Sequence, residues 1–331
     1  SVNVNESDST KIYELAVGDG DLGKVIGKKG RNVNALRVIL SAATAKNLTR
    51  SSVNIGSSGL IIARSVNDKT GKVVIGSPTN EKIKIAGKID VSGHRSLTPS
   101  GTIIVRGRSV THNGKIFARG GSGGKVNIIS KDTLKLDGSI FAQGTKEKGG
   151  SVLFLSEKSI SSTPKTVVDV SGANKGGRIR SLAKTTNTSS GTFKSNSKGG
   201  KGGNIDLTGD RVEISNAKIE ATGNLMGGKV RIGGDYLGGQ DLTIMDNKNV
   251  YGFVSRFGDQ PSIQNSKQTI VKADTNIDVS SKKGQGGTAV VWSDQMTDFE
   301  GKINARGAEI VTLTTITNET KSTYKSSKDP P

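Results

Sequence analysis

Five glycine doublets return along this chain at a nearly constant interval, each followed at once by alternating apolar residues. They are Gly123-Gly124 before KVNII, Gly149-Gly150 before SVLFL, Gly176-Gly177 before RIRSL, Gly202-Gly203 before NIDLT and Gly227-Gly228 before KVRIG. The steps between their first glycines are 26, 27, 26 and 25, a period that marks solenoids and repeat arrays. A sixth doublet, Gly286-Gly287 before TAVVW, follows the fifth after a step of 59, as two turns with a short insertion would place it. A unit this short buries its apolar face only against its neighbours, so the spacing predicts a linear stack.

Strands, not helices, should form the units. Glycine is 45 of 331 residues and aromatics are 4%, while Ser, Thr, Asn, Val and Ile are plentiful. Alternation has period two, as in Val126 and Ile128 or Ile205 and Leu207. Segments such as KIKIAGKIDVSG (82–93), TLKLDGSIFAQG (133–144) and RVEISNAKIEATG (211–223) pair two short strands around a turn. About three strands of some five residues close one coil of a parallel β-helix. The doublets are assigned to corners, where glycine reaches positive φ without steric cost. The pattern runs over residues 57–308, with loops expected near 181–201, a stretch poor in apolar residues, and near 238–275. The polar segment 309–331, ending in two prolines, is read as a disordered tail.

The segment 1–55 is different in kind. KIYELAV (11–17) alternates as a strand, a Gly-Lys-Lys-Gly loop follows at Gly27–Gly30, and RNVNALRVILSAATAKN (31–47) places Val33, Leu36, Leu40 and Ala43 on one helical face. SSVNI (51–55) is a candidate for a further strand. Residues 22–50 hold Lys24, Lys28, Lys29, Arg31, Arg37, Lys46 and Arg50 and no acidic residue. Two glycines let a backbone approach a phosphate, a helix start offers free N–H groups, and lysines add attraction. A glycine turn with solvated lysines satisfies the same spacing.

The run DLGKVIGKKGRNVNALRVILSAATAKN resembles the small bacterial single-KH-domain RNA-binding proteins, over roughly residues 10–47. That resemblance implies that Gly27, Lys28, Lys29 and Gly30 hold a sugar-phosphate backbone, that Val25, Ile26 and Arg31 border a base groove, and that Lys24 and Arg37 add charge beside it. The partner it implies is RNA or another single-stranded nucleic acid. The family's first helix has no counterpart, and LTRSSVNIGSSGL stands in place of its last strand, so residues 1–55 are expected to be an incomplete, truncated KH-like α/β unit. Ser1 is not a methionine, and the chain is expected to be an excerpt.

GGKVRIGGDYLGG (227–239) and GQGGTAVVWSDQMTDFEGKINARG (284–307) resemble the filamentous-haemagglutinin-like exoproteins of two-partner secretion. The resemblance covers about residues 57–308. It implies a right-handed parallel β-helix, a non-enzymatic adhesin-like stalk, an extracellular or cell-surface location, and a host ligand, cell-surface ligand or acidic glycan as partner. A KH-like part standing alone would be cytoplasmic while the β-helix belongs outside, so the chain is read as a gene fusion, a decayed gene or an artefactual join of two reading frames near Arg50.

Other signals yield to simpler readings. Gly18–Gly23 spells GxGxxG, yet Asp19 and Asp21 would face a pyrophosphate with like charge. The GGxG strings at 120–124 and 199–203 carry Lys125 and Asn204 where a calcium nonapeptide needs aspartate. His94 and His112 are the only histidines, there is no cysteine, and both are expected at the surface, without a metal. Asp235, Asp241, Asp246 and Asp259 crowd the second loop and are read as solvated, not as a paired-acid catalytic site. Trp292 is assigned to the core. The triplets at Asn47, Asn187 and Asn318 fit the glycosylation pattern, which is common by chance in an Asn- and Thr-rich chain. No cofactor, metal or catalytic residue is expected. No apolar run approaches the length of a membrane span. The net charge of +19 favours acidic partners.

Overall fold

The computed structural model describes residues 2–7, 10–15, 50–66, 69–76, 80–93, 98–239, 263–308, 312–316 and 321–325. The described residues from 50 to 304 wind into a parallel β-solenoid. One coil shows the plan: Ser151–Ser156 forms a first face, Ser159–Ser162 a second and Val167–Asp169 a third. Each pairs in parallel with the same face of the next coil, as in Val152↔Ile179, Ile160↔Asn187 and Val168↔Phe193. Among the described residues the first face has eight rungs, from Lys72–Ile75 to Thr288–Val291.

Period-two alternation builds the core. Every second residue points inward, and each stacks on its equivalent one coil away. Ile103, Val126, Val152, Ile179, Ile205 and Val230 form one such column, all without solvent exposure. Ile89, Ile116, Ile140, Val168, Phe193, Ile219 and Ile277 form another on the third face. Each such side chain contributes about 1.5–3 kcal/mol of burial. Corners after the third face repeat an Asx turn: Ser92, Ser171 and Ser280 each donate a backbone N–H to the Asp90, Asp169 or Asp278 carboxylate two residues earlier, at 2.9–3.0 Å.

The doublets are steric necessities, and positive φ is not the reason. The glycines with positive φ among the described residues are Gly76, Gly191, Gly233, Gly238 and Gly239, none of them in a doublet of the period. A Cβ on Gly149 would lie 1.7 Å from the Val170 carbonyl oxygen, and one on Gly177 would lie 2.0 Å from the Gly150 carbonyl oxygen of the preceding coil. First glycines are pressed against the chain's own return from the third face, and second glycines against the coil below.

Several expectations are corrected. The stretch 181–201 is no loop: Arg178–Ala183 and Thr186–Lys194 are rungs of the sheet. It reads as a loop because its core positions are polar. Asn187 is buried and its Nδ2 donates to the Ser181 carbonyl at 2.8 Å and the Thr208 carbonyl at 3.1 Å, while Ser189 Oγ donates to Asn187 Oδ1 at 2.9 Å. The long step between the fifth and sixth doublets holds one turn, not two, because Lys229 pairs directly with Thr288. The same face advances from Arg178 to Asn204 in an ordinary coil, and the extra chain of the long step enters after Ile232 and ends before Gln268. The second loop is therefore shorter than 238–275, since Gln268–Val271 is already a rung. In the tail, Thr312–Ile316 and Lys321–Lys325 pair as an antiparallel hairpin where no regular structure was expected.

At the other end, Val2–Ser7 pairs antiparallel with Thr10–Leu15, which pairs in parallel with Arg50–Ile55. Arg50–Ile55 in turn pairs with Asn80–Ile85, so the ladder crosses the position of the expected junction.

Candidate functional site

Gly27, Lys28, Lys29, Gly30, Arg31, Lys24, Val25, Ile26 and Arg37 lie outside the described residues, as does the expected helix over 31–47. The described frame around them is the strand Thr10–Leu15 and the strand Arg50–Ile55, whose residues Thr10–Ile12 and Arg50–Ser52 lie side by side.

Of the four aspartates weighed as acids, only Asp235 is described. It accepts a hydrogen bond from Arg231 Nη1 at 2.6 Å, and Arg231 Nε donates to Asp206 Oδ1 at 2.8 Å. Arg231 and Asp206 are 1% and 2% exposed although their positions on the strand face away from the core. Burial opposes the Arg231 charge, but the two carboxylates outweigh it and raise its pKa. Asp235 is thus the counterion of a buried guanidinium, not an available general acid. Trp292 is half-buried, not core: its Nε1 donates to Asp294 at 2.9 Å, and its ring lies beside Gly234. Among the described residues no three His, Cys, Asp or Glu side chains come together as metal ligands.

His94 lies outside the described residues, and His112 is buried, contrary to expectation. It occupies a core column between Ile85 and Leu136. Neither ring nitrogen has a hydrogen-bond partner, although backbone groups of Ile85 and Ser139 approach. Loss of solvent pushes its pKa down to about 4, so it is neutral at physiological pH.

Among the described residues, two of the clefts on the outer surface have a volume of about 400 Å³ each. The first carries carboxylates among its cations, Asp132 and Glu157 beside Arg108, Lys131, Lys158 and Lys184: Asp132 sits 2.8 Å from both Arg108 Nε and Lys158 Nζ, which hold its carboxyl below the usual range. The second carries no carboxylate in its lining. It is a trough floored by Gly124, Gly150 and Gly177, with Lys148 and Lys175 on one rim and Lys125 and Arg178 on the other. Lys201 continues the first rim, by the bridge Lys175↔Lys201. Lys229 continues the second beyond Asn204. Burial, and then the charges of Lys175, Arg231 and Lys201, push Lys229 down to about 8.

These rims were not expected from the sequence. Their signal is nevertheless present: a lysine stands directly before each of three consecutive doublets, at Lys148, Lys175 and Lys201.

Residues 1–55 match the family model of the KhpA/KhpB KH domain. The RNA-binding protein KhpA of Chlamydia trachomatis is 43% identical over 47 residues, which are 14% of this chain and 60% of that protein. Its counterpart in Borreliella burgdorferi is 41% identical over 54 residues, 16% of this chain and 66% of that protein. The chain thus spans about three fifths of the length of the curated relatives it matches. Among solved structures, the crystal structure of the HMW1 secretion domain from Haemophilus influenzae aligns with a TM-score of 0.48 at 21% identity, covering 78% of this chain and 69% of that one.

Proposed function

We propose that the bulk of this chain acts without catalysis, as a β-helical scaffold displayed at the cell surface or secreted, whose outer faces meet a cell-surface ligand in the manner of an adhesin stalk. The observation that supports this reading is the registered stack itself. Inward columns close the core, and every other row of side chains is turned outward, so eight rungs offer long, regular faces and little enclosed space. No described helix is long and apolar enough to cross a membrane. The test is protease shaving of intact source cells. Release of peptides from residues 98–239 while a cytosolic marker stays protected is the expected result; protection of both contradicts the reading.

A second reading has its own support, the family match over residues 1–55, which includes Gly27–Gly30. On that reading the N-terminal unit binds single-stranded RNA through its glycine loop. Replacing Lys28→Asp and Lys29→Asp should then abolish binding of an RNA oligonucleotide by the full chain, and wild-type affinity should fall steeply with salt, because phosphate contacts release counterions. Binding indifferent to both changes overturns it.

A further inference from the structure

The glycine-floored trough is built differently from the rest of the surface. The first rim places Lys148, Lys175 and Lys201 on successive coils, joined by parallel bridges, so a cation recurs about every 4.8 Å along the axis. The second rim places Lys125, Arg178 and Lys229 on alternate coils, with Ser151 and Asn204 between them. None of Lys125, Lys148, Lys175 and Lys201 has a carboxylate within ion-pair distance among the described residues. All four are exposed. Arg178 lies 3.7 Å from Asp206, a carboxylate it shares with Arg180 and the buried Arg231. The floor offers no competing donors: the Gly150 amide donates to the Ala142 carbonyl at 2.7 Å and the Gly177 amide to the Val170 carbonyl at 2.8 Å. Whatever lies in the trough therefore meets a flat, side-chain-free bed between two lines of positive charge.

From this geometry we infer that the trough is a binding surface for a linear acidic polysaccharide, laid along the solenoid axis with its carboxylate or sulfate groups between Lys148, Lys175 and Lys201 on one side and Lys125, Arg178 and Lys229 on the other. The rim has an end as well as a direction, since Met226 and Gln285 take the lysine's place on the next two coils. Single-stranded nucleic acid is a poorer match: proteins that bind it add aromatic platforms for the bases, and no aromatic residue lines this trough. A membrane surface is poorer still, because the rims present no apolar side chains to insert. An anionic chain here would also relieve the mutual repulsion that Lys229 experiences from Lys175 and Lys201.

The inference rests on the displayed-scaffold reading for its biological meaning, but its test is made on purified full-length chain. All variants carry Lys28→Asp and Lys29→Asp, so that the N-terminal basic loop does not contribute. The probes are dextran sulfate and polygalacturonate, with neutral dextran and an oligouridylate as comparisons, measured by titration calorimetry at two salt concentrations. Lys148→Glu with Lys175→Glu and Lys201→Glu should weaken binding of both acidic polymers about tenfold or more and flatten its salt dependence. A control of equal net charge, Lys84→Glu with Lys135→Glu and Lys165→Glu, should change it less than about threefold. If the glutamate triple does not keep the β circular dichroism signal, the Lys→Ser triple at the same positions takes its place with the same expectation. Equal losses in trough and control variants, or none in the trough variant, overturn the proposal. So does an oligouridylate that binds more tightly than the acidic polymers and loses that affinity in the trough variant. A chain that binds the polymers in this way yet is protected on intact cells keeps this site and overturns the surface reading; a shaved chain without binding does the reverse.

Discussion

At the scale of single residues, steric contact explains more than backbone preference does. Gly149 is required because its neighbour's carbonyl occupies the place of a methyl group. Gly149→Ala should therefore destabilise the chain by about 3 kcal/mol, read as a lower urea midpoint. Gly56→Ala, where nothing lies within 4 Å of the added carbon, should leave that midpoint unchanged. His112 makes a different prediction. Its native pKa of about 4 lies below the ordinary 6.5, so between those values the unfolded chain holds a proton that the native chain does not. Its neutral form is fully accommodated above pH 6.5, and stability should decline by up to about 3 kcal/mol as pH falls from 6.5 to 4. His112→Leu should remove that part of the slope in urea unfolding followed across pH; an unchanged slope would show that the ring already has a partner. The period of the doublets was legible in sequence because the requirement for glycine repeats every coil. The cause of the requirement was not, since contact between residues one coil apart leaves no local trace.

At the scale of elements, alternation of apolar residues located most rungs and failed where a core column turns polar. Thr186–Lys194 carries Asn187 and Ser189 at inward positions, so it looks like solvent-facing chain while lying in the sheet. The hydrogen bonds among Asn187, Ser181 and Ser189 replace apolar packing there. Asn187→Leu should cost about 2–3 kcal/mol, because it strands buried polar groups on both neighbours; thermal unfolding that matches the unaltered chain would contradict the network. The length of the late insertion is hidden in the sequence for a related reason. A doublet-to-doublet distance counts residues, and only the pairing of Lys229 with Thr288 shows that they belong to adjacent coils. The KH resemblance was legible through its motif, and the family match covers the same stretch, residues 1–55. The cationic rims of the trough are invisible in a count of lysines, because only the register between coils brings Lys148, Lys175 and Lys201 into line.

At the scale of the whole molecule, the eight described rungs on the first face stack to about 34 Å between first and last strand, and a ligand meets only what that stack presents outward. Everything depends on register: the core columns, the steric need for the doublets and the two lines of cations all require residues one coil apart to lie side by side. The chain has no cysteine, so register can be read with introduced pairs. Lys135 and Ser161 are partners on the second face, and adjacent parallel positions about 4.8 Å apart lie within disulfide reach. Lys135→Cys with Ser161→Cys should close a disulfide on mild oxidation, detected as a linked tryptic peptide pair. Lys135→Cys with Thr163→Cys, two residues further along the chain, should remain reduced under the same conditions. Equal yields from the two pairs, or linkage only in the shifted one, would contradict the registered solenoid and with it the surfaces derived from it.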